Sequence, residues 1–326
     1  MNFPNINQKT ISFFLSVLLS IFCLGGTLGC LPAYAALDSW KPGTGSLDKI
    51  IDFVNQVNAE DRIAVFDNDG TLWAEKPIYF PIQFELQKKL QGDNFVGYTT
   101  DEYIEEAKDF VYNQNHKDFH VPYVDLVYEP VIELVNYLKN NEFKVYISSG
   151  GDIDFVRSFS DDVYGIPPEQ VIGTAVKTSF DKEFGGNVKR DTDFLQGIKQ
   201  EKHEDLAHYN DQEGKPVGIQ NHIGKRPIIA VGNSSGDFEM FQYTDTGVGN
   251  SLIVLINHDD CEEEYEYNNV PYETKVNHDG DVVARNESLD AAQTRDNWIV
   301  VSMKEDFDHI FSQPFYRSRP YQRGCN

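Results

Sequence analysis

Apolar positions recur along the chain with two periods, one helical and one of short continuous runs. From Ser46 to Asn58, Leu47, Ile50, Ile51 and Val54 share one face, which predicts a capped amphipathic helix. Arg62–Asp67 (RIAVFD) is an apolar run cut off by Asn68-Asp69-Gly70, the pattern of a buried strand ending in a turn. Residues 78–115 read as helical, with little β-branched density. Further helices are predicted at Glu129–Asn140, Asp152–Phe159, Lys215–Ile223 and Gly236–Tyr243. Further strands are predicted at Phe143–Ser148, Val171–Thr178, Pro227–Val231, Leu252–Ile256 and Trp298–Ser302. Buried strands alternating with amphipathic helices predict an α/β fold: a Rossmann-like, mostly parallel sheet with helices on both faces. Ligands of such sheets sit at the carboxyl ends of the strands.

Composition adds one constraint. The 326 residues are 40% hydrophobic and 25% charged, an ordinary globular balance, with no internal repeat. Charge is lopsided: 52 acidic residues against 28 Lys and Arg leave −24 at neutral pH. That excess repels polyanions, so no nucleic-acid partner is expected, and an anionic membrane surface is disfavoured. A small phosphorylated molecule, met locally by a metal and a cation, stays compatible.

Residues 1–35 hold no acid and one base, Lys9. An apolar run from Ile11 to Leu28 leads to Ala33-Tyr34-Ala35, the layout of a secretory signal cleaved after Ala35. A second reading is lipid attachment through Cys30. Export, periplasmic or secreted, is the expectation, with a mature form that does not span a membrane and an oligomeric state left open. Of the four cysteines, Cys23 and Cys30 leave with the signal. Cys261 and Cys325 then either form one bridge or remain two thiols.

Three strand ends carry chemistry. The first closes with Asp67-Asn68-Asp69-Gly70-Thr71, two carboxylates two positions apart beyond a buried strand. Such carboxylates are costly unless a positive group meets them. The second closes with Ser148-Ser149-Gly150-Gly151, read as opening a helix whose N–H groups and hydroxyl form an anion site. The third closes with Gly232-Asn233-Ser234-Ser235-Gly236-Asp237, an amide oxygen and a carboxylate of the kind Mg²⁺ takes. The expected cation for a phosphoryl group is Lys215; Lys225 competes but lies toward the far end of the third of these strands.

This set resembles the haloacid dehalogenase (HAD) superfamily of phosphohydrolases. It carries DxDGT at Asp67–Thr71, Ser149 before a glycine pair, Lys215, and GNSxGD at Gly232–Asp237. The Ser-Gly-Gly context is closest to the phosphoserine-phosphatase-like branch. One departure is Asn233, where many members have Asp, which leaves open whether Asn233 or Asp237 touches the metal. The resemblance implies a catalytic core of 36–75 and 129–326 with a helical cap, 76–128, inserted after the first strand. It also implies Asp67 as nucleophile, Asp69 as general acid–base, and Thr71, Ser149, Gly150 and Lys215 as phosphate ligands. Mg²⁺ would be held by Asp67, Asp69, Asn233 and Asp237. Glu75, one position off the acid that relatives use for a substrate amine, is a candidate substrate contact.

Two rival functions remain. Gly232–Gly236 also fits G-x-S-x-G, which would make Ser234 the nucleophile of an exported esterase served by His258, His278 or His309. A non-catalytic phosphate-binding or storage protein on the same fold is the other. Zinc is not expected: His203 and His208 are five apart, off a common helical face. Asn286-Glu287-Ser288 is a formal glycosylation sequon.

Overall fold

Strand β1 (Ile63–Phe66) is buried along its whole length and sits inside a seven-stranded sheet. Its neighbours are β2 (Lys144–Asp152) and, on the other side, β7 (Ile229–Gly232), both parallel to it. Beyond β2 come β3 (Val171–Val176), parallel, and the short β6 (Leu206–His208), antiparallel. Beyond β7 come β8 (Leu252–Asn257) and β11 (Trp298–Ser302), both parallel, while β9 (Glu273–Val276) and β10 (Val282–Arg285) pair with each other as a separate antiparallel hairpin. The spatial order is therefore β11-β8-β7-β1-β2-β3-β6. The fold is α/β, with a mostly parallel sheet flanked by helices.

These coordinates come from a computed structural model, which describes residues 37–182, 185–245, 250–267, 273–276, 282–285 and 287–312. The signal segment, Cys30, His278, Asn286 and Cys325 lie outside the described residues. Cys261 is disulfide-bonded. Ala36–Asn326 forms one compact unit. Among the described residues no helix is long and apolar enough to cross a membrane.

Strands buried at nearly every position need cover on both faces. Helices α8 (Gly214–Ile223) and α9 (Phe238–Thr244) bury Ile219, Met240 and Phe241 against Val65, Ala230, Ile253 and Leu255. Helix α1 (Gly45–Gln56) packs on β11, and α4 (Glu129–Asn140) packs on β2. The α1 cap differs from expectation: Thr44 at the N-cap makes no side-chain bond, and Ser46 instead donates to Asp306 at 2.6 Å.

Two inserts interrupt the alternation. The first lies between β1 and β2 and carries α2 (Phe80–Leu90) and α3 (Thr100–Asn113), separated by a loop. Its core is aromatic, with Phe84 against Phe95, Tyr103 and Phe110. The second follows β3. It is a hairpin of β4 (Thr178–Asp181) and β5 (Asn187–Arg190), then α7 (Phe194–Lys199). The expected strand Val171–Thr178 thus ends at Val176, and the hairpin, β6 and α7 were not anticipated.

A second correction concerns the end of β2. The strand runs on through Ser148–Gly151 to Asp152, with a register irregularity against β3. The helix that follows, α5 (Ile153–Arg157), has five residues and is followed by α6 (Ser160–Tyr164). Its free N–H groups are taken by Asp152, whose carboxylate accepts from Asp154 and Phe155. Ser149 and Gly150 therefore belong to an extended strand and not to a helix N-terminus.

Candidate active site

The sheet order reverses direction at β1. Chain connections run outward through β2 and β3 on one side, and through β7, β8 and β11 on the other. A crevice at such a reversal, outside the carboxyl ends of the strands, is where open α/β sheets bind ligands. Asp67 follows β1 there and Asn233 follows β7; the Asp67 N–H donates to the Val231 carbonyl at 2.9 Å.

The loop after β1 is wound tightly. The Asn68 carbonyl accepts from Thr71 at 3.1 Å and Leu72 at 2.8 Å, and Gly70 N–H donates to the Trp73 carbonyl at 2.9 Å. Gly70 has φ +75°, and a Cβ there would lie 2.1 Å from Asn233 Nδ2. Only glycine permits both the left-handed backbone and that approach of the β1 and β7 loops. From behind, buried His258 donates through Nε2 to the Gly70 carbonyl at 2.7 Å. Burial drops the His258 pKa to about 3, so the imidazole is neutral. The Trp73 indole N–H donates to Asp69 Oδ1 at 2.9 Å, orienting that carboxyl.

Lys215 joins the strand ends. It opens α8, is 2% exposed, and places its ammonium 2.6 Å from Asp67 Oδ1 and 2.6 Å from Asp237 Oδ1. Asp237 Oδ2 turns back under its own loop and accepts from the N–H groups of Asn233 at 3.0 Å and Ser234 at 3.1 Å. A Cβ at Gly232 would lie 2.6 Å from that carboxylate, so the close turn needs glycine there too.

Electrostatics follow from burial. Desolvation, with the charge of Asp237 added, raises the Asp67 carboxyl well above its ordinary value, against the pull of Lys215. Desolvation lifts Asp69 to about 6, opposed by hydrogen bonds from Trp73 and Asn68, the charge of Lys215 and a hydrogen bond with Ser149. Burial alone would depress the Lys215 ammonium; Asp237, Asp67 and Asp211 outweigh it and hold the group above the usual lysine range. Desolvation lifts Glu75 to about 7, opposed by Lys76, whose ammonium is 3.1 Å away.

These groups open onto a cavity of about 190 Å³. Of the residues expected from sequence, Asp67, Asp69, Glu75, Gly150, Lys215 and Asn233 line it. Asp237 stands behind, which separates it from Asn233: the amide faces the cavity and the carboxylate braces the loop. Ser149 is buried beside Asp69, its hydroxyl accepting from the Gly151 N–H at 3.0 Å. Thr71 is buried with an unpartnered hydroxyl and is not among the lining residues. Lys225 reaches Asp61 at 3.2 Å on the surface, so it does not compete with Lys215.

Several lining residues were not anticipated: Tyr79, Pro81 and Ile82 from the first insert, Phe194 and Ile198 from the second, and Tyr209 and Asp211 from the stretch after β6. Behind them, Asn210 donates to the Ser149 carbonyl at 2.9 Å, and Thr174 to the Gly150 carbonyl at 2.8 Å. The one available signal was the polar run Tyr209-Asn210-Asp211 shortly before Lys215.

Among the described residues, Ser234 lacks the partner an esterase needs. Its hydroxyl accepts from Gly236 N–H at 3.1 Å and lies 3.5 Å from Asp237, while His258 is engaged at Gly70 and His309 lies near Ser39. Likewise His203 and His208 contact Gly197 and Asn210, not one another.

The fit to a divalent cation rests on donor type. Among the described residues no three His, Cys, Asp or Glu side chains cluster as metal ligands. The donors that line the cavity are mixed: the Asp67 and Asp69 carboxyls and the Asn233 amide, all hard oxygens suited to Mg²⁺. Asn233 Nδ2 is buried without a partner, and turning the amide over leaves its oxygen to serve as a ligand.

No family model and no curated protein sequence matches the chain. Among solved structures it is similar to a phosphoserine phosphohydrolase-like protein from Francisella tularensis. That match has 17% identity and a TM-score of 0.33, over 60% of this chain and 88% of that one. It is also similar to cytosolic 5′-nucleotidase IIIB bound to cytidine, with 12% identity and a TM-score of 0.37 over 65% and 77% of the two chains. A third is a protein of unknown function from Anaerococcus prevotii, with 21% identity and a TM-score of 0.36. There the match covers 51% of this chain and 46% of the other, so the chain spans less than half of that protein.

Proposed function

We propose that the protein is an exported, Mg²⁺-dependent phosphomonoesterase of the HAD type, acting on a small phosphorylated molecule through an aspartyl-phosphate. The observation that carries this reading is the convergence, around one cavity, of Asp67, Asp69 and Asn233 with Lys215 bridging Asp67 and Asp237.

In this reading the Asp67 carboxylate attacks phosphorus, forming an O–P bond as the bond to the leaving alcohol breaks. Asp69, poised near 6 by burial, gives its proton to the departing oxygen. It then takes a proton from the water that attacks the phosphorus of the intermediate, releasing phosphate and restoring Asp67. Lys215 draws the Asp67 carboxyl back toward its ionised form against burial and, with Ser149 and the Gly150 region, meets phosphoryl charge. Trp73 holds Asp69 in place. Asp67, the Asp69 carbonyl and Asn233 would hold Mg²⁺, braced by Asp237, and the bound ion supplies neutralisation between carboxylate and dianion. The inserts that carry Tyr79 and Phe194 form the lid, which excludes water and selects the leaving group.

The test is hydrolysis of para-nitrophenyl phosphate with Mg²⁺. Asp67→Asn is expected to abolish turnover, and Asp69→Asn to cost roughly two to four powers of ten. Near-normal turnover by Asp67→Asn would falsify the mechanism. A wild-type protein that binds phosphate without hydrolysing any ester would instead be a phosphate-binding protein.

A further inference from the structure

The two walls of the cavity above the strand ends come from separate stretches of chain. Tyr79, Pro81 and Ile82 stand on one side; Phe194, Ile198 and Tyr209 stand on the other. These walls are aromatic and aliphatic. Four lining carboxylates, Asp67, Asp69, Glu75 and Asp211, face one basic lining side chain, Lys215.

The partners of these charges differ. Lys215 is engaged by Asp67 and Asp237 at 2.6 Å each, and Glu75 is paired with Lys76 at 3.1 Å. Asp69 is oriented by Trp73 as the proton carrier. Asp211 accepts from the Tyr209 hydroxyl at 3.1 Å and the Gln212 N–H at 3.0 Å, and it feels the charge of Lys215 without a direct ion pair to it. It lies close to Gly150 on β2 and to Gly236: a Cβ on either glycine would lie 3.6 or 3.1 Å from Asp211 Oδ1. This carboxylate, with no direct ion pair among the described residues, lines the same cavity as Asp67 and Asp69.

Resting on the phosphatase reading, we infer that the alcohol released here is an amino or quaternary-ammonium alcohol with an apolar body, whose positive charge is received by Asp211. A second phosphate or carboxylate on the leaving group would find no cation in these walls. A polyhydroxylated sugar would leave most of its hydroxyls against Ile82, Phe194 and Ile198, at the cost of unmade hydrogen bonds. A cation finds the Asp211 carboxylate, in a lining that also includes Tyr79 and Tyr209. The acidic surface, −24 overall, also favours its approach. Phe194 and Ile198, from the second insert, and Tyr209, after β6, are then specificity residues.

The experiment compares phosphocholine with its uncharged isostere, in which carbon replaces the quaternary nitrogen. Release of phosphate with Mg²⁺ is measured for both, with para-nitrophenyl phosphate as reference. The wild type is expected to favour phosphocholine by about tenfold or more in kcat/KM. Asp211→Asn is expected to bring the ratio to about one, while Asp211→Glu keeps a preference for the charged ester. The same pair is titrated by calorimetry against Asp67→Asn, reading affinity without turnover. A wild-type ratio of one or below, or a ratio that Asp211→Asn leaves unchanged, overturns the inference. If no ester is hydrolysed, the phosphatase reading fails, and the calorimetric preference still decides whether Asp211 selects a cation.

Discussion

One ammonium between two buried carboxylates is an arrangement whose members depend on each other. Without Lys215, Asp67 and Asp237 would share a desolvated site with like charges, and the charge of Asp237 already raises the cost of ionising Asp67. Lys215→Met is therefore expected to destabilise the protein by about 3–5 kcal/mol, the penalty for breaking a buried pair. It is also expected to remove the proposed phosphatase activity, because the phosphoryl group loses its cation and Asp67 loses the charge that favours its ionised form. Urea unfolding, with the shift in midpoint compared at equal slope, measures the first. A loss under about 1 kcal/mol would mean that the contacts are exchangeable with solvent. Asp67, Asp69, Asn233 and Asp237 were legible in the sequence because each directly follows a buried apolar run, so chain order alone places them at strand ends. Asp211, Tyr209 and Phe194 were not, since tertiary packing of the second insert and of the stretch after β6 brings them to the cavity and no periodicity records that contact. The fate of Gly150 was misread for a related reason. Asp152 beyond it looked like part of a helix, whereas its side chain caps that helix and lets the strand continue.

Arg190, at the end of β5, ties the inserts to the sheet. It is 1% exposed, meets Asp152 Oδ2 at 2.6 Å and Asp154 Oδ2 at 3.4 Å, and lies 3.7 Å from the centre of the Tyr103 ring. Glu85 on α2 lies 3.9 Å from Arg190 and accepts from Tyr103 at 2.9 Å. Four carboxylate or phenol groups thus share one guanidinium. Desolvation, with the charge of Asp152 added, lifts Glu85 from 4.5 to about 8, against the pull of Arg190. A carboxyl whose folded pKa is raised binds its proton more tightly folded than unfolded. Its contribution is fully present below about 4.5 and is lost as pH rises through about 8. The stability difference between wild type and Glu85→Gln is thus expected to move against the wild type across that window, by up to ~1.4 kcal/mol per pH unit. Denaturant titrations at several pH values measure it, and a difference independent of pH would place the Glu85 carboxyl near its ordinary value. The long helices here were legible from their 3.6-residue stripe. The β4–β5 hairpin was not, because its residues are mostly exposed and polar, and a strand without a buried face leaves no alternation to read.

The protein as a whole carries −24, and this changes how its cation dependence must be measured. Any salt screens the mutual repulsion of surface acids and stabilises the compact state without a specific site. A divalent ion held at Asp67 and Asn233 acts differently: it binds the folded chain, not the unfolded one, and stabilises by mass action. The gain is about 2.7 kcal/mol when the ion is at a hundred times its dissociation constant. For a chain of this class that corresponds to a rise of roughly 5 °C or more in Tm. Mg²⁺ is therefore expected to raise Tm beyond what NaCl of equal ionic strength achieves, and the excess is expected to vanish in Asp67→Asn. The variant has one less acid, so screening alone would differ in it only slightly, and loss of the excess reports the site itself. Chelation is expected to abolish phosphate release and Mg²⁺ to restore it, in the same concentration range as the Tm excess. If NaCl reproduced the whole shift, or activity survived exhaustive chelation, the oxygen ligands at the strand ends would be serving Lys215 alone, and a metal would have no place in the reaction.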